Sequence, residues 1–177
     1  MSKVNFGTLL GDQRWKGKIF NGQWVSSQAG ARDVPEPATG EPFSNVGFAN
    51  AADIETAAAA AAKAQKSWAA VGARERAALL RAAAGVLERD AEALAVIVAR
   101  ESGGILPKGQ HELREAAVIL YGAAALAIQP RGDVLANPPG RLSYARRIPR
   151  GVIGVISPFN FPLLLSLRAV APALATG

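Results

Sequence analysis

The run Ser157, Pro158, Phe159, Asn160, Phe161, Pro162 sets one amide side chain among two prolines and two aromatic rings. Proline fixes its own φ and restricts the residue before it. An amide N–H held in place this way can donate to an oxygen that gains negative charge during a reaction, an effect worth about 3 kcal/mol. The run follows an apolar stretch, residues 152–156, that reads as a buried strand. Ligands of open α/β sheets bind at the carboxyl ends of such strands. On these residues alone the plainer alternative, an asparagine that merely forms a turn, stays open.

The other candidates for chemistry are weaker. His111 is the only histidine, and the HELRE around it lacks the second histidine that would hold zinc from one helix face; it reads as a surface residue, and no metal site is expected. Glu112 and Glu115 sit at helical spacing among arginines, the pattern of a solvated face rather than of a general acid and base. Gly151 and Gly154 lack the G-x-G-x-x-G spacing that brings backbone against a pyrophosphate. Arg141, Arg146, Arg147 and Arg150, with Tyr144 among them, can meet phosphates; a subunit contact or a solvated edge strand explains them better. There is no cysteine, which excludes a disulfide, a thiolate metal site and a cysteine nucleophile within these residues.

The elements that must position Asn160 are legible in outline. KIFNGQWV, from residue 18, places Asn-Gly between two short apolar runs, predicting a hairpin with both central residues at positive φ. EPATGEPF turns the chain again, and residues 43–48 return as a strand. Asn50 then caps a helix over about 51–70 whose third position is Asp53. Its alanines, residues 57–62, carry helix propensity but little apolar bulk, so close packing against other helices is expected to hold it, with Trp68 as anchor. Leu79, Leu80, Ala83, Val86 and Leu87 mark the next helix, and Asp90 caps another carrying Leu94, Ile97 and Val98, ended by Gly103 and Gly104. After Pro107, Leu113, Ala117, Leu120 and Ala124 share one face of a fourth helix, closed by Pro130 and Gly132. RLSYARRI reads as extended, and residues 163–176 as a helix that is apolar on nearly every side. Strand, loop and helix in this order open a βαβ unit that has no second strand before Gly177.

Half of the 177 residues are hydrophobic and 19% are charged, enough for one domain with a sizeable core. The net charge of +6 and a pI near 10.2 invite a polyanionic partner. Because the basic residues are mixed with glutamates along the helices, the excess is read instead as the imbalance of a truncated chain, and neither nucleic acid nor membrane is expected as a partner. The opening MSKVNFGTLLGDQRW lacks the apolar stretch of a secretory signal, so a cytoplasmic protein is expected.

At GVIGVISPFNFP the chain resembles the aldehyde dehydrogenase superfamily, and the likeness extends back through ARESGG, RERAALLRAAAGVLE, the alanine-rich helix ending near Trp68, PATGEP and NGQWV. The resemblance implies an α/β fold, here the N-terminal, incomplete part of the aldehyde dehydrogenase fold. Residues 1–139 would form the hairpin and helical part of the cofactor-binding domain, 140–150 an oligomerisation-arm strand, and 151–177 the first strand, loop and helix of a Rossmann-like parallel sheet. It implies that Asn160 donates to the oxyanion formed when a thiolate attacks an aldehyde. Ile156, Ser157, Pro158 and Phe159 would line the nicotinamide side of an NAD or NADP pocket. A homo-oligomer acting on a small-molecule aldehyde is expected, and the run of residues looks most like the benzaldehyde and vanillin dehydrogenase branch. The nucleophilic cysteine, the general-base glutamate and the remaining cofactor-binding elements would lie beyond Gly177, which makes these residues inactive by themselves. The alternative is a non-catalytic helical interaction or regulatory fragment with a basic arm.

Overall fold

The computed structural model describes residues 15–177, so the opening segment read for a signal lies outside the described residues. The order is β1 (Lys18–Phe20), β2 (Trp24–Ser26), β3 (Ala31–Pro35), β4 (Pro42–Gly47), α1 (Ala51–Ala70), α2 (Ala73–Arg89), α3 (Ala91–Ser102), α4 (Leu106–Ala127), β5 (Gly132–Val134), β6 (Tyr144–Arg146) and α5 (Pro162–Thr176). Among the described residues the strands pair as three antiparallel ribbons, β1 with β2, β3 with β4, and β5 with β6.

The first hairpin pairs Ile19 with Val25 and Phe20 with Trp24. Its turn corrects the sequence expectation. Only Gly22 has positive φ, while Asn21 donates its N–H to the Gln23 carbonyl, making a three-residue connection. One residue of left-handed backbone is enough once the loop is longer than two. In the second ribbon Gly40, at φ 77°, closes the turn with its N–H on the Glu36 carbonyl.

Helix α1 starts as expected, because Asn50 and Asp53 form a reciprocal capping box. Asp53 also accepts the Gln28 N–H at 3.0 Å, tying the helix to the loop after β2. Its expected close packing does not occur: Asp53 is its only buried residue, and the alanine run stays largely at the surface. Methyl groups bury too little area to seat a helix, and α1 is fastened by polar bonds at its ends. Trp68 is the anchor near its C-terminus, donating its indole N–H to the Leu174 carbonyl at 2.9 Å.

The alanine-on-alanine packing lies instead between α2, α4 and α5. Ala77, Leu80 and Ala84 of α2 meet Ala117, Leu120, Ala123, Ala124 and Ala127 of α4, with Ala171 and Ala175 of α5 completing the cluster. All four residues named for the apolar face of α4 are buried. On α2 the face is rotated from the one expected: Leu80 is in the core, whereas Leu79, Ala83 and Val86 are exposed. Periodicity cannot choose between two adjacent apolar stripes, and the partner helices do. Asp90 begins α3 without a side-chain cap bond, its carboxylate taking a two-point bond from Arg89. Gly103 ends α3 at φ 67°, where the left-handed cap strongly favours glycine.

Residues 152–156 are not the buried strand expected. They carry no ladder bonds and are exposed. A strand needs a neighbour for its N–H and C=O groups, and among the described residues none lies beside it. No described helix is long and apolar enough to cross a membrane.

Candidate active site

Asn160 lies two residues before α5, and the site is built outward from that helix end. Helix α5 begins with Pro162, whose missing N–H costs nothing in a first turn. Phe161, at the cap position, supplies no side-chain cap. The next two N–H groups, of Leu163 and Leu164, are met by a residue of another helix: Glu112 of α4 accepts both through one oxygen, at 3.1 and 3.3 Å. Its second oxygen faces the Lys108 ammonium at 2.6 Å, one turn back along α4.

Glu112 therefore overturns the solvated-face reading. It is fully buried, as a charged group can be when a cation and two N–H donors surround it. A signal was present in the sequence. Glu112 stands four residues before Ala116 and eight before Leu120, on the same stripe that forms the core. Lys108 at i−4 supplied the matching charge.

Phe161 is gripped from the same helix. The His111 ring meets it edge to face at 6.3 Å, and the Lys108 ammonium lies 5.1 Å from its centroid. His111 itself is exposed, as read from sequence. Beyond the helix end, the Ser157 hydroxyl bonds that of Ser166 at 2.5 Å, and the Leu165 N–H reaches the Phe161 carbonyl at 2.9 Å. So the loop leaves α5 at a defined angle, and Asn160 stands on its exposed outer side.

The opposite end of α5 is held with equal care. The Leu174 carbonyl takes the Trp68 N–H, that of Ala175 takes Arg76 at 3.2 Å and Arg131 at 3.1 Å, and that of Gly177 takes Gln65 at 3.3 Å. Acid at the first turn and guanidinium at the last match the helix dipole at both ends. Arg76 is buried; desolvation first, and the nearby Arg131 charge second, lower its pKa from the ordinary guanidinium value.

Ile156, Ser157, Pro158 and Phe159 form a continuous exposed strip leading to Asn160, with Ile156 99% and Phe159 91% exposed. The five residues Ile156 to Asn160 are contiguous in the chain, and all of them are exposed. The larger hollows lie elsewhere, one of about 400 Å³ between Trp68, Val152, Val155 and Leu174. Arg141, Arg146, Arg147 and Arg150 are all exposed, on or beside the β5–β6 ribbon.

The same fold also occurs in solved proteins. The profile of the Aldehyde dehydrogenase family matches residues 24–177. The chain belongs to the aldehyde dehydrogenase family.

Among relatives of this family, a vanillin dehydrogenase from Amycolatopsis sp. is 48% identical over 96% of this chain and 35% of its own length. A benzaldehyde dehydrogenase [NAD(+)] of Pseudomonas putida is 43% identical, over 92% of this chain and 34% of its own. Of solved structures, an NAD-dependent benzaldehyde dehydrogenase from Corynebacterium glutamicum superposes with a TM-score of 0.85 at 37% identity, covering 94% of this chain and 37% of that one. A betaine aldehyde dehydrogenase of Staphylococcus aureus in complex with NAD+ gives 0.89 at 30% identity, covering 98% and 35%. The chain spans about a third of the length of these relatives. The fold is accordingly an N-terminal partial aldehyde dehydrogenase fold of mixed α/β type.

Proposed function

We propose that these residues are the first part of an NAD- or NADP-dependent aldehyde dehydrogenase that oxidises an aromatic aldehyde, of the benzaldehyde kind, to its carboxylic acid. Asn160 carries the reading. Its side-chain amide donates to the aldehyde oxygen as that oxygen becomes an oxyanion, and a donor fixed beforehand does not have to reorganise. The bonds that hold the start of α5 support this, since they fix the backbone at Leu163 and Leu164, just beyond Asn160.

Ile156, Ser157, Pro158 and Phe159 fit the nicotinamide side of the cofactor. Their backbone groups are outside any ladder, and two large apolar side chains stand open to a flat ring. The nicotinamide, when bound, accepts the hydride. With no cysteine in these residues, they supply no thiolate and turn over no aldehyde alone. The β5–β6 ribbon, with Leu142, Tyr144 and Ile148 exposed beside the arginines, is the proposed contact of a homo-oligomer.

The test begins with the intact mass of the natural protein and its NAD- and NADP-linked activity on benzaldehyde. A mass well above 18.3 kDa with activity is the expected result. In that protein Asn160→Ala lowers kcat by about 10²–10³-fold. An unchanged kcat removes Asn160 from the oxyanion role, and a natural protein of 18.3 kDa without activity removes the enzymatic reading of the chain.

A further inference from the structure

We infer that Glu112 is a positioning residue for Asn160, acting through the first turn of α5. The inference rests on the assignment of Asn160 as oxyanion donor. Glu112 is fully buried on α4, yet both of its hydrogen bonds run to the chain leaving the loop: one oxygen accepts the Leu163 and Leu164 N–H groups, while the other faces the Lys108 ammonium. Between Leu163 and Asn160 stand only two residues, and neither is free. Pro162 has its φ fixed by its ring, and the Phe161 ring is pinned by His111 and Lys108. A displacement of the Leu163 amide is therefore passed along the backbone to Asn160 rather than absorbed by rotation in between.

The charge also matters to the geometry. A carboxylate at a helix N-terminus is attracted by the positive end of the dipole and binds N–H groups more strongly than a neutral acceptor does. With a neutral amide at this position the Lys108 ammonium faces a group that holds it less strongly, and the first turn loosens. The same helix that grips Phe161 with His111 and Lys108 thus sets the direction of Asn160.

In the complete enzyme, Glu112→Gln lowers kcat by about tenfold or more, the scale on which a misplaced group slows a reaction. KM for aldehyde and cofactor stays within about twofold, because substrate contacts are kept. In the Asn160→Ala background the same substitution has no further effect on kcat, since the group it positions is gone. Losses that multiply in the double variant overturn the inference, because a purely structural contribution does not depend on Asn160. If Asn160→Ala alone leaves kcat intact, the oxyanion assignment fails first and the positioning role falls with it. Should Glu112→Gln not fold, Lys108→Met carries the same comparison. It keeps both amide bonds and removes the cation, so a smaller loss that also vanishes without Asn160 is expected, and an independent loss refutes the role.

Discussion

Glu36 and Arg100 meet in a two-point bond, Nε at 2.8 Å and Nη2 at 2.5 Å, joining the turn after β3 to helix α3. The hydrogen bonds from Arg100 hold the Glu36 pKa below its ordinary 4.5; partial desolvation opposes this, and the guanidinium charge adds to it. A carboxyl lowered on folding stabilises the protein above its unfolded value, and that stability disappears as pH falls through the lower folded value. Stability of the native protein and of Glu36→Gln, followed by denaturant unfolding, is expected to differ near neutrality and to converge in acid below the ordinary carboxylate range. Curves that remain parallel into acid refute the link. Legibility in sequence was uneven at this scale. Asn160 was singled out because prolines and aromatics crowd it, a local pattern. Glu112 reads as part of a solvated face because its burial depends on where α5 lies, 51 residues further along the chain at Leu163.

Between helices, α4 comes close against α3 at Gly109. A Cβ on Gly109 would overlap the carbonyl oxygen of Ala95, which is backbone and cannot rotate aside. Gly122 lies on the same helix with open space around it. Gly109→Ala is expected to destabilise the protein by about 1–3 kcal/mol through overpacking. Gly122→Ala is expected to stabilise by about 0.5–1 kcal/mol through helix propensity. Urea midpoints of the two variants should move in opposite directions, and movement in the same direction refutes the contact at Ala95. The helices themselves were readable, α1 to the residue, because caps and apolar spacing are local. Which face of α2 is buried was not, since Leu79 and Leu80 are equally apolar and only α4 and α5 distinguish them.

For the whole molecule, the governing feature is apolar surface without cover. Val152, Ile153, Val155, Ile156 and Phe159 are exposed along the segment before α5, and Val134, Leu142, Tyr144 and Ile148 are exposed along and beside the β5–β6 ribbon. Surface of this kind, with unpaired backbone beside it, favours association. Expressed alone, the 177-residue chain is expected to sediment as species heavier than 18.3 kDa, with light scattering that rises with concentration. A stable monomer at high concentration contradicts this reading. The apolar run 152–156 reads as a buried strand because strands in parallel sheets have that composition. Its composition does not provide the neighbour that would make it one.

The sequence by itself determined the first hairpin, the return strand of the second ribbon, the presence of all five helices with the limits of α1 and α5 to within a residue, the family likeness and the segment that holds Asn160. Each depends on caps, turns and spacing that act over a few residues. The tertiary structure decided which helix faces meet, that α1 is tied by its ends, that residues 152–156 lie open, and that a glutamate of α4 anchors the start of α5. Those outcomes depend on contacts between residues far apart in the chain, where burial and hydrogen-bond satisfaction are settled only when the partners are in place.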